Sequence, residues 1–222
     1  MQQSKKELHI ATILLVMAYM CVKLTCNILF FNHLEFHLFD IDFKMTYAAF
    51  LYPLVYVLLD WMVICFGALW AIVIVLFGVL LDGFSSGMIA STHFIDIPQT
   101  LTGTDLIYTQ SIHNISQEVW ALFWHGLLGS IIAYLGELLL FNALYTKIFR
   151  QSFWLSSIAS ICTTMAIHNA ISDYQMFAGS PDRWRLIISN YSVNLSVVIL
   201  YTTIIAIIRF RKSKSNQLKG IV

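Results

Sequence analysis

Long apolar runs, separated by short polar stretches, occupy most of the chain. Several runs approach or exceed the ~20 residues that a helix needs to cross ~30 Å of hydrocarbon. The pattern therefore predicts an all-α, polytopic membrane protein whose six transmembrane helices form a single domain over residues 1–222. The predicted spans lie at residues 10–22, 46–59, 68–81, 119–145, 153–171 and 186–208.

The composition agrees with a chain that is surrounded by lipid. Of its 222 residues, 59% are apolar and 11% are charged, against roughly 45–50% and 25% in an ordinary soluble domain. Little chain remains outside the runs for a separate soluble catalytic domain. A net charge of +1 gives no electrostatic footprint for nucleic acid. We therefore expect the function to lie within the helix bundle.

The distribution of basic residues predicts the orientation, because cytoplasmic loops retain Lys and Arg. The opposite side holds the acidic stretch 35–42 and the loop 91–117, which has no Lys or Arg. Both termini are therefore expected in the cytoplasm, with the protein in a bacterial inner membrane. The basic residues that support this orientation are Lys5, Lys6, Lys147, Arg150 and those of the tail RFRKSKSNQLK.

The connections between runs suggest two local structures. Cys65-Phe66-Gly67 predicts a tight hairpin between the second and third helices, with Gly67 at positive φ. The loop 91–117 is the longest predicted connection, and we consider it both as a lid and as an idle surface loop.

Polar residues recur at helical spacing inside the apolar runs. An ionisable residue in a membrane helix costs at least ~2.5 kcal/mol, so such residues usually face the bundle interior or a water-filled cavity. Tyr52, Tyr56 and Asp60 share one helix face, and Lys23 lies four residues before Asn27. The fifth and sixth runs carry Ser157, Ser160, Thr164, His168 and Ser172, with Asn169 and Asp173 beside them, and then Asn190 and Asn194.

The fourth run has two distinct faces. Small residues on one face predict a seam for close helix packing. A neighbouring polar face is a candidate site. The seam consists of Gly126, Gly129, Ala133 and Gly136, and the polar face of Ser130, Tyr134 and Glu137.

The polar residues fall at two depths when each is placed at ~1.5 Å per residue along its helix. Asp60 and Glu137 fall in the inner half. Two polar levels favour a solute pathway, because each stage must replace lost water contacts. The alternative, hydrogen bonding only between helices, explains Ser and Asn better than charged residues. The outer half holds Lys23, Asn27, Asp82, His125, His168, Asp173, Asn190 and Asn194.

The segments YPLVYVLLD and CFGALWA resemble the six-helix family of queuosine-precursor transporters, also called the vitamin-uptake-like family. The residues that match the family's order are Asn27, Pro53, Asp60, Gly67 and Ala71. The segments IIAYLGELLLFNALYTKIF and FWLSSIAS resemble the family's fourth and fifth helices. The chain departs from the family at Ile64, Ile72 and His168, where members commonly carry a charged, a basic and an acidic residue.

The resemblance implies uptake of a planar, amide-bearing base such as 7-cyano-7-deazaguanine, with no cofactor. Asp60 or Glu137 can accept two hydrogen bonds from a guanine-like edge, and Asn27 or Asn169 can pair with a carbonyl. Tyr56 or Trp124 can stack on the ring. The predicted substrate-binding residues are Asn27, Tyr56, Asp60, Glu137, His168 and Asn169, with Lys23, Asp173 and Asn190 as secondary candidates.

How transport is energised stays open. The chain has no P-loop motif GxxxxGK[ST], so it is not expected to hydrolyse ATP itself. One alternative is a gradient-driven importer in which Asp60, Glu137 or His168 takes up protons. The other is a substrate-binding subunit of an energy-coupling-factor-type vitamin importer, docked on a separate ATPase module. A homodimer is also possible.

Three further readings compete with transport. The segment GFSSG fits G-x-S-x-G and, with His168, suggests a serine intramembrane hydrolase that uses Ser85 or Ser86, although an all-helical chain lacks the strand-to-helix elbow. His33 and His37 have a spacing that can bind a metal on a helix, but most such pairs are solvated and no metal site is predicted. The third is a purely structural membrane protein.

Overall fold

The computed structural model describes residues 2–38 and 41–219 and is predominantly helical, as predicted. Single turns of 3₁₀ or π helix extend three of the longer helices, at Thr92–Phe94, Leu144–Ile148 and Asn169–Asp173. The elements are α1 (Gln2–Leu29), β1 (His33–Leu38), β2 (Ile41–Thr46), α2 (Ala48–Phe66), α3 (Ala68–Ser91), α4 (Gly103–Ala143), α5 (Phe153–His168), α6 (Tyr174–Met176) and α7 (Arg183–Lys219).

The lengths of the helices confirm a polytopic membrane protein. Five of the described helices are long and apolar enough to cross a membrane. The sixth, α5, has 16 residues, but the π turn and α6 continue it without a break to Met176. The placement of both termini in the cytoplasm stays a prediction.

Helix α2 lies at the centre of the bundle. It packs against α1, α3, α4, α5 and α7, and Val55, Leu59 and Met62 are fully buried. A tight turn at Gly67 then reverses the chain into α3. Gly67 has the predicted positive φ, at 83°, and its N–H donates to the Val63 carbonyl at 2.8 Å.

Helix α4 corrects the prediction for loop 91–117. The helix begins at Gly103 and has 41 residues, which correspond to about 62 Å at ~1.5 Å per residue, twice the ~30 Å of hydrocarbon. The non-helical connection is confined to residues 95–102. The long irregular lid considered from the sequence is therefore wrong, because its second half forms the first turns of α4.

The small-residue seam of α4 packs as predicted. A Cβ at Gly129 would overlap the Ser172 hydroxyl, so only glycine lets α4 approach the π turn this closely. At Gly136 a Cβ would lie 3.6 Å from Thr164 Cγ2, which is an ordinary contact. The seam thus sets the distance between α4 and the α5 region.

A β-hairpin over the α1–α2 connection was not predicted from the sequence. Its strands pair antiparallel, with His33 opposite Thr46, and β2 packs against α7. His33 and His37 therefore lie on a strand, and the helical spacing considered for a metal pair is wrong. Within the described residues, no group of three potential metal ligands occurs.

Candidate functional site

A cavity of about 100 Å³ lies between the helices on the side of the bundle that β2 covers. It is large enough for several water molecules, at roughly 10–15 Å³ each, or for one small ring compound. Polar residues from seven elements reach it, when the π turn is counted with α5. They are Lys23, Asn27, Thr46, Tyr52, Asp82, Ser86, Ser130, Tyr134, His168, Asn169, Asp173, Asn190 and Asn194.

One wall of the cavity is an ion pair between α1 and α3. Lys23, with 4% exposure, donates to one carboxylate oxygen of Asp82, and the Asn27 side-chain amide donates to the other. The four-residue spacing of Lys23 and Asn27 brings both donors to the same carboxylate. Both carboxylate oxygens of Asp82 therefore already accept a hydrogen bond from a protein group.

A hydrogen-bonded chain of ring side chains forms the floor. The Tyr134 hydroxyl donates to the Tyr52 hydroxyl at 3.1 Å, and the Tyr52 hydroxyl lies 2.9 Å from His168 Nε2. The Tyr52 hydroxyl accepts from Tyr134, and we assign its own proton to the hydrogen bond with Nε2. That assignment makes Nδ1 the protonated nitrogen of a neutral imidazole. His168 Nδ1 is buried and has no described partner.

The opposite wall, from α5, its π turn and α7, has polar atoms without described hydrogen-bond partners. Asn190 donates to Asp173 only at 3.4 Å, and its Oδ1 accepts from the Thr46 N–H at the same distance. Asn169 Nδ2 and Asn194 Oδ1 are buried without a described partner. Since buried polar groups are normally satisfied, such atoms around one cavity indicate a place for water or a ligand.

Apolar side chains complete the enclosure. Phe30, Leu122, Phe123, Leu127 and Met176 line it alongside the polar residues. Apolar side chains together with polar groups that fix the orientation of a ligand are the usual makeup of a small-molecule site.

The cavity brings together six of the nine sequence candidates. Asn27, His168 and Asn169 line it, and so do the secondary candidates Lys23, Asp173 and Asn190.

Tyr56, Asp60 and Glu137 are fully buried but lie outside the cavity lining. Tyr56 packs against Tyr52 and Tyr134, with ring centroids 5.4 Å from each. Trp124, considered as a stacking wall, is 54% exposed, and His125 is exposed as well.

Asp82 was expected in the outer half from the sequence but was not among the predicted site residues. It is the one charged residue in the 24-residue α3. Its opposite charge to Lys23, at a similar predicted depth, was the signal that could have identified the pair.

The hydrolase reading has no geometric support. GFSSG lies within the continuous helix α3 and not at a strand-to-helix turn. The described hydrogen-bond partners of His168 are Tyr52 and Ser130, with Asn169 within hydrogen-bonding reach, and Ser86 is not among them.

Comparison with known proteins decides the family. The family described as "Putative vitamin uptake transporter" matches residues 46–208, about three quarters of the chain. The chain belongs to this family. The vitamin-uptake family match spans α2 to α5 and most of α7, and it leaves α1, with Lys23 and Asn27, outside. No curated protein and no solved structure matches the chain.

Proposed function

We propose that the chain imports a small planar nitrogenous solute, best represented by 7-cyano-7-deazaguanine, across a bacterial cytoplasmic membrane by alternating access. The observation that supports this proposal is the cavity wall with buried polar atoms that have no described hydrogen-bond partner. His168 Nδ1, Asn169 Nδ2 and Asn194 Oδ1 offer two donors and one acceptor, all buried and unpartnered. A guanine-like edge carries the complementary acceptors and donors on a rigid plane.

Asp173 takes the role that the sequence suggested for Asp60 or Glu137. It lines the cavity, and its described hydrogen bond, from Asn190, is long at 3.4 Å. A carboxylate can accept two parallel N–H donors from an amidine-like edge. Asp82 is less suitable, because Lys23 and Asn27 already occupy both of its oxygens.

The ring faces of the solute would lie against apolar side chains such as Phe30 and Phe123. Aromatic walls suit planar rings because stacking adds to the burial of apolar area. A flexible or strongly charged vitamin would leave part of this polar and apolar pattern unused.

Binding to the detergent-purified protein tests the proposal. We expect thermal stabilisation by 7-cyano-7-deazaguanine and none by biotin or thiamine. A hydrogen bond to a charged group contributes about 1.5–3 kcal/mol, so Asp173→Asn should weaken binding by about 10- to 150-fold.

Asp96→Asn is the matched control, because Asp96 is exposed in the α3–α4 connection. It should bind like the unmodified protein. Stabilisation by a vitamin but by no deazapurine would contradict the solute assignment, and equal binding by both Asp variants would contradict the site.

A further inference from the structure

A second polar cluster lies one layer away from the cavity. Asp60 on α2 and Glu137 on α4 are neighbours, and both side chains are completely buried. Among the residues whose side chains the structure describes, no basic group pairs with either carboxyl. Two negative charges this close in a low-dielectric interior would repel strongly, so the pair must hold at least one proton.

The two carboxyls differ in the number of α5 hydroxyls that donate to them. Glu137 is in contact with two hydroxyls, Ser160 at one oxygen and Thr164 at the other. Asp60 accepts from one hydroxyl, Ser157 at Oδ2, while no described donor group reaches its buried Oδ1, and its carboxyl lies within hydrogen-bonding reach of Glu137. Glu137 is thus equipped to be the ionised member, and Asp60 Oδ1 to carry the retained proton.

The same hydroxyls also allow Glu137 to become protonated. Ser160 Oγ lies 2.8 Å from the Ser156 carbonyl, and Thr164 Oγ1 lies 3.0 Å from the Ser160 carbonyl. A hydroxyl has one proton and can rotate it from the carboxylate to the carbonyl of its own helix, then accept from a Glu137 O–H. Both protonation states of Glu137 are therefore hydrogen-bonded without movement of the helices.

Aromatic hydroxyls connect this cluster to the cavity. Tyr56 lies one helical turn before Asp60 and one after Tyr52, and its buried hydroxyl lies within hydrogen-bonding reach of the Tyr52 hydroxyl. Tyr134 lies three residues before Glu137 and donates to Tyr52, which contacts His168 in the cavity. A change of charge at the pair can thus alter the floor of the solute site.

We propose that Asp60 and Glu137 form a proton-coupling site in which Asp60 keeps one proton and Glu137 binds and releases a second during each transport cycle. The inference rests on the proposed import function. On loading, a proton from water forms an O–H bond on Glu137 and one hydroxyl turns to its helix carbonyl. On release, the proton returns to water on the other side and the hydroxyl turns back. The net charge of the pair alternates between −1 and zero.

Among the described residues, the other titratable groups in electrostatic contact with Glu137 are Tyr56 on α2 and Cys162 on α5. Tyr134 lies one turn before Glu137 on α4, Tyr201 on α7 donates to the Phe50 carbonyl, and Lys23 on α1 is paired to Asp82. The described residues that α3 buries against α2 are apolar, for example Ala71 and Val75.

Proteoliposomes that contain only this protein provide the transport test. Exchange of labelled for unlabelled 7-cyano-7-deazaguanine without any gradient tests the import function by itself. A gradient of about one pH unit, acidic outside, should then drive up to about tenfold accumulation if one proton accompanies each solute. Glu137→Gln should bring the accumulation ratio to about one, while solute still equilibrates across the membrane.

Glu118→Gln is the matched control, since Glu118 is exposed on the same helix, and it should accumulate solute like the unmodified protein. Wild-type exchange with accumulation that follows a Na⁺ gradient or requires an ATPase would overturn proton coupling and leave the import function standing. Accumulation by Glu137→Gln at the wild-type ratio would also overturn it.

Infrared spectroscopy tests which carboxyl gains the proton, and it needs neither transport nor a single variant that must fold. Infrared difference spectra of the wild-type protein between alkaline and acidic pH should show a protonated carboxyl band from a site without solvent contact. The band should persist in Asp60→Asn and disappear in Glu137→Gln. A wild-type spectrum without such a band, or a band lost only in Asp60→Asn, would overturn the assignment.

Discussion

Asp82→Asn isolates the charge of the ion pair that Asp82 on α3 forms with Lys23 on α1. The substitution keeps the shape of the side chain, and the new amide oxygen can still accept from Asn27. What is lost is the negative charge beside Lys23, whose side chain is only 5% exposed. The ammonium group is then buried without a counter-charge.

The structure gives the size of the expected effect. Removing one partner of a buried ion pair costs about 3–5 kcal/mol of folding free energy. We take the lower end of that range, because the Asp82 side chain is 13% exposed and the cavity can admit water. About 3 kcal/mol is a change of more than 100-fold in the unfolding equilibrium. At roughly 2–4 °C per kcal/mol for a chain of this size, Tm should fall by about 6–12 °C.

Thermal unfolding in detergent measures the effect. Asp96→Asn, an exposed position with the same chemical change, should unfold like the unmodified protein. The double variant Lys23→Met with Asp82→Asn should recover most of the loss, because no uncompensated charge remains. A double variant less stable than Asp82→Asn alone, or a single variant as stable as Asp96→Asn, would refute the reasoning.

Three further stability measurements follow from local geometry. Gly129→Ala should destabilise the protein by roughly 1–3 kcal/mol, because the new Cβ would overlap Ser172. Gly136→Ala should be neutral or stabilise by up to about 1 kcal/mol through its higher helix propensity. Equal effects of the two variants would contradict the close approach at Gly129. Gly67→Ala should cost about 1–3 kcal/mol through the strain of a positive φ alone, since no atom lies within 4 Å of the Cβ that alanine would add. Thr202→Val should be neutral or stabilising, because the buried Thr202 hydroxyl has no described partner; a clear loss would indicate one.

The membrane architecture could be predicted because it depends on composition and run length. Lipid leaves backbone groups only internal partners, so long apolar runs have to become helices. The turn at Gly67 and the seam at Gly129 could also be predicted, since the turn needs a positive φ and the seam needs a residue without a Cβ. The first turns of α4 were missed because the sequence there is polar, although polar helices outside hydrocarbon are common.

The hairpin was missed although its signal is present. HLEFHL and IDFKMT alternate strictly between polar and apolar residues, which is the period of a strand. From the sequence, the stretch 35–42 was used only for its acidic charge, as evidence for the orientation of the chain.

The candidate site could be predicted in type but not in arrangement. Helical spacing put Tyr52, Tyr56 and Asp60 on one face, and the structure confirms that shared stripe. Which members face the cavity depends on how far each helix is rotated and shifted against its neighbours, which packing decides and spacing does not. Asp60 therefore lies in the second layer, beside hydroxyls of α5, although it belongs to the same stripe as Tyr52.

The central claim, that the polar cavity is the solute site, is tested most directly at Cys26, a native free thiol that lines it. Cys21 and Cys65 are exposed and Cys162 is half-buried, so replacing these three with Ser leaves one thiol to follow. A small water-soluble methanethiosulfonate reagent should modify Cys26 in proteoliposomes, and saturating 7-cyano-7-deazaguanine should slow that reaction at least several-fold. Modification at the same rate with and without bound solute would contradict the claim.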